Sequence, residues 1–440
     1  MLFEDNSQVL GVVFLVRHGD RQGFYQDPKS YTPSNTAITA LGTQEEFQLG
    51  NLLRQRYLNQ SSPAFISGIN TTIADASQIQ ARADAGGEGG VIFNSAVALL
   101  QGLFPPTSTF SDKLPNGTTV TAPFGGYQSV EPDNDISLEG WTSCGPFATA
   151  TQAFYASPEF QQKANESAGF LNSLKQYLDG RSVSLVDMIY DFMNVQSIHD
   201  AEFSQRLPPS VLAQARDLAN FHEYGVFSSP NLNGIGNIAG QTILPSILEG
   251  FAQIADPSNP LKILYQAISY KPFISLFNMT GVAQQNPKLA GIVEYAAVVA
   301  LEVRSSSNGP VIRFNFKNGT ADTDFGVFNL FGSSGDVPLA TFVDRVSGVT
   351  INDTETWCTV CNNNVDRGCN EMAFAAHQAI EAQPLHPIGA GFLGAGMALA
   401  FVLILLICMY FFGFVRFGRR GKKIQQTSDS ESSKSSLGKV

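Results

Sequence analysis

Arg17, His18, Gly19, Asp20 and Arg21 follow directly on the apolar run Val12–Val16. A neutral imidazole can attack phosphorus and carry a covalent intermediate, which splits one hard hydrolysis into two easier steps. Guanidiniums on either side would bind the non-bridging oxygens and offset charge as the ester bond breaks. Gly19 lets the backbone turn closely around a phosphate. In the bland alternative, Arg17 and Arg21 pair with Asp20 and neighbouring acids while His18 is merely packed. For a lone histidine that alternative would be preferred; for Arg-His-Gly-x-Arg at the tip of an apolar strand, phosphate binding is.

Ligands of open parallel sheets bind beyond the carboxyl ends of the strands, which is where this cluster falls. After a loop rich in Tyr, Pro and Ser, Phe47, Leu49, Leu52, Leu53 and Leu58 recur at helical spacing. "QIQARAD" reads as a second strand, "AGGEGG" as a loop and "VIFNSAVALLQGLF" as a helix closed by Pro105 and Pro106. Between about Ser143 and Gly250 the strand signals fade and three long segments read as helices. Strand patterns return at "GIVEYAAVVALEVRS" and in the alternating "VIRFNFKNG". The expected fold is α/β, a mostly parallel central sheet flanked by helices with an inserted helical subdomain. The boundaries are a first core segment 8–142, an insert 143–250, a second core segment 251–375 and a stalk 376–387. A membrane span 388–415 and a disordered tail 416–440 complete the chain.

The span rests on length and charge. No charged residue stands between Ile388 and Val415, more than the roughly 20 apolar residues a bilayer requires. Arg416, Arg419, Arg420, Lys422 and Lys423 follow at once, so the tail is expected in the cytoplasm and the bulk of the chain outside, as a single-pass type I protein of the plasma or a secretory or vacuolar membrane. Seven Asn-x-Ser/Thr sequons, at Asn59, Asn70, Asn116, Asn165, Asn278, Asn318 and Asn352, all precede the span. Cys144, Cys358, Cys361 and Cys369 suit two disulfides in an oxidising compartment, with zinc as the rival reading of Cys358-x2-Cys361. The first residues, with Glu4 and Asp5, do not form a basic leader, and a signal is expected upstream of Met1. A net charge of -11 without a basic stripe before residue 388 argues against nucleic acid as partner. Small-residue pairs such as Ala390 and Gly394 allow a homodimer through the span.

"VRHGDRQGF" resembles the signature of the histidine acid phosphatases, a branch of the histidine phosphatase superfamily with the phosphoglycerate mutase-like fold. "NSAVALLQGLFPP", "MIYDFMNVQSIHDAEFSQRLPP" and "VIRFNFKNG" are similar to later stretches of that family, so the resemblance covers roughly residues 10 to 370. It implies an α/β domain with a helical cap, His18 as nucleophile, and Arg17 and Arg21 on the phosphate, without cofactor or metal. Two departures stand out. The family's further arginine falls at about Val91, leaving Arg82 as the nearest replacement. Its late His-Asp pair falls at Ile268 and Ser269, neither of which can hold a transferable proton. Glu88 is the expected substitute acid and Lys271 an extra phosphate ligand, while His199-Asp200 in the inserted helices matches a non-catalytic segment. The function implied is a membrane-anchored phosphomonoesterase acting on phosphorylated small molecules or phosphoproteins through a phosphohistidine. The alternative is an impaired ectodomain that binds a phosphorylated or anionic ligand as a receptor or surface module.

Overall fold

The computed structural model describes residues 7–23, 36–84, 86, 90–105, 111–113, 115–121, 128–130, 135–187, 189–372 and 387–412. The strands are β1 (Val9–Arg17), β2 (Ile79–Asp84), β3 (Ser111–Lys113), β4 (Thr119–Thr121), β5 (Gln128–Val130), β6 (Ile263–Ile268), β7 (Val298–Arg304), β8 (Val311–Lys317), β9 (Gly326–Phe328) and β10 (Val337–Pro338). The main sheet runs β10-β8-β7-β1-β6-β2-β5, with β9 also on β8, and β3 pairs with β4 apart from it. β1, β6, β2 and β5 are parallel, whereas β7 returns antiparallel to β1 and β8, β9 and β10 continue that sense. The sheet is therefore mixed, parallel in the half that includes β1 and antiparallel in the other.

β1 is buried along nearly its whole length because it is central and covered on both faces. Val13 and Leu15 point into one core layer, while Val12, Phe14 and Val16 point into the other, the period-2 alternation of a strand. The second layer is filled by α1 (Ala40–Tyr57) and α2 (Val91–Leu103), whose expected apolar stripes become Leu49, Leu53, Leu99 and Leu103. Thr39 caps α1 by accepting the Gly42 amide.

The insert comprises α3 (Gly145–Tyr155), α4 (Pro158–Ser173), α5 (Ile189–His199), α6 (Ala201–Arg206) and α7 (Pro209–Val226). A small core of its own joins α4 to α7 through Phe160, Leu171, Met193, Phe203 and Leu218. α8 (Ile238–Ala255), which the expected boundary at 250 gives to the insert, instead buries Ile243, Ile247 and Phe251 in the layer over Val13 and Leu15. The same layer holds α9 (Lys271–Met279), α10 (Val282–Gln285), α11 (Leu339–Val346) and α12 (Thr354–Val360), with Trp357 fully buried. Disulfides join Cys144 to Cys361 and Cys358 to Cys369, so all four expected cysteines are paired and the zinc reading of Cys358 and Cys361 is replaced.

Residues 1–373 form one compact unit and 374–440 a second. Among the described residues of the second, α13 (Pro387–Phe411) is an apolar helix whose stretch Gly391–Phe411 is long enough to cross a membrane. The stalk up to residue 386, residues 413–415 of the expected span and the tail lie outside the described residues, as does Glu88.

Candidate active site

The motif loop is built from backbone bonds that leave no slack at the end of β1. The Arg17 amide donates to Ala297 O (2.9 Å), the His18 amide to Ile268 O (3.3 Å) and the Ala296 amide to His18 O (3.1 Å). β6 and the segment before β7 thus clamp the nucleophile candidate from both sides, and Ile268 and Ser269 stand beside it, both buried. The next two amides are met by side chains. Gly19 donates to Ser95 Oγ of α2 (3.1 Å), and Asp20 donates to Glu45 Oε2 of α1 (2.8 Å). α1 can come this close only because both contact residues are glycines. A Cβ on Gly19 would lie 2.5 Å from Gly42 O, and one on Gly42 would lie 2.6 Å from the Asp20 nitrogen.

His18 is buried, and its Nδ1 lies 2.8 Å from Gly19 O. A carbonyl oxygen only accepts, so the Nδ1 atom holds the proton and the lone pair of the neutral ring sits on Nε2. Arg17 Nη1 donates to Val293 O while the guanidinium stacks on Tyr295 (4.4 Å) and Tyr270 (5.2 Å). The Tyr295 ring also lies 5.6 Å from His18, and burial raises its phenol above the ordinary range against the pull of Arg21. Arg17 and His18 therefore share one aromatic neighbour.

The cap reaches the same loop. Arg21 Nη1 donates to Gly23 O (2.9 Å) and Nη2 to Asp191 Oδ1 of α5 (2.8 Å). His199, the last residue of α5, places Nε2 2.8 Å from Asp20 Oδ2, which also accepts from Thr39 Oγ1. His199-Asp200, expected to match a non-catalytic segment, is divided between two tasks. Asp200 caps α6 by accepting the Phe203 amide, and His199 contacts the motif. Beneath Arg17 a polar chain runs from the Tyr270 hydroxyl to Glu223 Oε2 (2.8 Å), from Glu223 Oε1 to His222 Nδ1 (2.9 Å) and from His222 Nε2 to the Tyr155 hydroxyl (2.8 Å). Burial works to raise the Glu223 carboxyl, but bonds from His222 and Tyr270 outweigh it and hold it below its usual range.

Of the other expected ligands, Arg82 lies elsewhere and Lys271 adjoins the site. Arg82 bonds to Asp135 (3.1 Å) and Ser137 (2.9 Å) and lines a cavity with Thr242, Ser246 and Glu249, away from the motif loop. Lys271 sits over Trp141 and Tyr270, so the Tyr270 ring contacts both Arg17 and Lys271. Of the sequons, Asn59, Asn70, Asn116, Asn165 and Asn352 are exposed. Asn278 spends its amide on Ser229 O and Asn237, and Asn318 accepts the Glu294 amide. Tyr295, Ser95 and Glu45 are site residues that no motif announces, since each arrives from a different element.

No family model matches the sequence. The prostatic acid phosphatase of Bos taurus is 21% identical over 368 residues, which cover 80% of this chain and 88% of the relative. The prostatic acid phosphatase of Homo sapiens is 21% identical over 370 residues with the same coverage. Among solved structures, the phytase of Klebsiella sp ASR1 superposes with a TM-score of 0.57 at 13% identity, over 80% of this chain and 98% of that one. The likeness therefore extends over four-fifths of the chain, well beyond one five-residue motif: in sequence the chain is distantly similar to the prostatic acid phosphatases, and its fold is that of the phytase.

Proposed function

We propose that the protein is a membrane-anchored phosphomonoesterase in which His18 Nε2 attacks the phosphorus of a phosphate ester. The observation that carries this reading is the Nδ1 contact of His18 with Gly19 O, which leaves Nε2 as the nucleophilic nitrogen. Arg17, held by Val293 O and two aromatic faces, is set to neutralise one phosphate oxygen. Arg21 would take another by exchanging part of its contact with Asp191. Phosphorylated small molecules and phosphoproteins are the substrate class. The apolar helix α13 and the basic residues after it support anchoring with the α/β unit outside the cytoplasm.

The full chain in detergent should hydrolyse an aryl phosphate between pH 4 and 7, and His18→Ala should abolish turnover. Radiolabelled substrate should leave an acid-labile, alkali-stable label on the wild type only. A second reading, ligand binding without turnover, is favoured by one observation: Ile268 and Ser269 occupy the places of the late acid pair. Inorganic phosphate that raises the melting temperature of the wild type, without any hydrolysis, would select it.

A further inference from the structure

A phosphatase site with Ile268 and Ser269 at its leaving-group side needs a proton donor from another element. We infer that Glu45 of α1 is that donor, a catalytic residue that protonates the leaving oxygen and then activates the water. The inference rests on the reading of His18 as nucleophile.

Three geometric facts support this role for Glu45. Its Oε2 accepts the Asp20 amide at 2.8 Å, which anchors the carboxyl two residues from His18. Its helix is pressed on the motif loop through Gly42, so the anchor is rigid. The residue is only half-buried, so it is not sealed from solvent as Glu46 is. No lysine or arginine among the described residues forms an ion pair with it.

The neighbouring carboxyls are each committed. Asp20 is fully buried and holds Thr39 and His199. Asp191 is paired with Arg21, and Glu294 with Arg216. Glu223 is committed to His222 and the Tyr270 hydroxyl. Glu46 is sealed from solvent. The charged groups acting on Glu45 suit an acid working near its own ionisation. Burial pushes its carboxyl above the ordinary range, the Asp20 amide opposes this, the Asp20 and Glu294 charges add to the rise, and Arg17 pulls back.

The step balances as follows. His18 Nε2 forms a bond to phosphorus while the bond from phosphorus to the ester oxygen breaks, and the proton of Glu45 passes to that oxygen to release an alcohol. The Glu45 carboxylate next takes a proton from water as the water oxygen attacks phosphohistidine. The bond between nitrogen and phosphorus breaks, inorganic phosphate leaves, and His18 and protonated Glu45 are restored.

The test compares two esters on the full chain, glycerol 2-phosphate, whose alkoxide must be protonated, and 2,4-dinitrophenyl phosphate, whose phenolate need not be. Glu45→Gln keeps an acceptor for the Asp20 amide. It should lower kcat/KM for the glycerol ester by about 10²- to 10⁴-fold and for the dinitrophenyl ester by less than about 10-fold. The fall of kcat/KM on the alkaline side, present for the glycerol ester in the wild type, should disappear in the variant. Equal losses on both esters with an unchanged pH profile would overturn the assignment while leaving His18 in place. Activity surviving in His18→Ala would instead remove the nucleophile and this inference with it. Should Glu45→Gln fail to fold by circular dichroism, Glu45→Asp carries the test: a selective loss on the glycerol ester supports the role and an unselective one refutes it.

Discussion

Gly42→Ala separates helix propensity from the packing that assembles the site. Position 42 lies in the first turn of α1, where alanine is about 1 kcal/mol more favourable than glycine by propensity alone. The structure predicts the opposite sign. A Cβ there would lie 2.6 Å from the Asp20 nitrogen and 2.9 Å from its carbonyl carbon, against ordinary contacts that begin at 3.4 Å. Those neighbours are backbone, held by the Glu45 and Thr39 bonds, so no side chain can rotate away. The helix end must retreat by about 0.8–1 Å, at a cost of about 1–3 kcal/mol for an overpacked contact. Thr39 and Glu45 would retreat with it, and a displacement of about 1 Å at a reacting centre can cost about 10²-fold in rate. Gly169→Ala is the matched control, in the exposed middle of α4 with nothing within 4 Å of the added atom, and should gain about 0.5–1 kcal/mol. Urea denaturation and aryl phosphate kcat/KM on the two variants decide the matter. A Gly42→Ala protein as stable and active as the Gly169→Ala control would refute the close docking of α1 on the motif.

Two further predictions concern stability. Glu46 is fully buried, and burial raises its carboxyl well above the ordinary range, with the Glu45 charge adding to the rise. A raised folded-state ionisation gives stability that is complete below the unfolded value near 4.5 and is lost as pH climbs toward the folded value. Urea stability relative to Glu46→Gln should therefore fall by about 1.4 kcal/mol per pH unit across that window, and parallel pH profiles would refute the buried acid. The Cys144–Cys361 bridge closes a span of 217 residues and the Cys358–Cys369 bridge one of 11. Loop-closure entropy assigns about 5.4 kcal/mol to the first and about 2.8 kcal/mol to the second, so alanine at both ends of the long bridge should lower the urea midpoint more than alanine at both ends of the short one. The reverse order would show that chain entropy does not govern their contributions.

What the sequence disclosed was local, and what it concealed was decided by direction and distance. The charged tip of β1 and the stripe of α2 are read from neighbouring residues and appear where periodicity puts them, whereas in α1 Leu49 and Leu53 are buried but Phe47 is exposed. The apolar run that became β7 reads the same whichever way it is laid down, so its antiparallel return against β1 left no mark in composition. α8 is apolar enough for either a cap or a core, and only contact with Val13 and Leu15 assigns it to the sheet. His199 escaped for a different reason. The dipeptide reads as one unit, yet the structure divides it, Asp200 capping α6 and His199 ending α5 against a residue 179 positions away. The signal present was the second half of that pair, an aspartate three residues before Phe203 at a helix start, which frees the histidine for another task.

α1 carries the most informative case. Its buried face is Gly42, Glu46, Leu49, Leu53 and Tyr57, so a glutamate occupies a place in the apolar stripe that helical spacing reserves for a hydrophobe. Neither Glu45 nor Glu46 stands in a motif. The structure separates their significance for chemistry: Glu46 is shut away from any substrate, and Glu45, one residue round the helix, reaches the motif amide. Two adjacent carboxyls on one helix are thus driven apart in role by about 100° of rotation, the inner one a load on stability that acid pH relieves and the outer one a proton source at the tip of β1. A site assembled this way does not need the late acid pair, because the helix that covers the nucleophile strand supplies the proton.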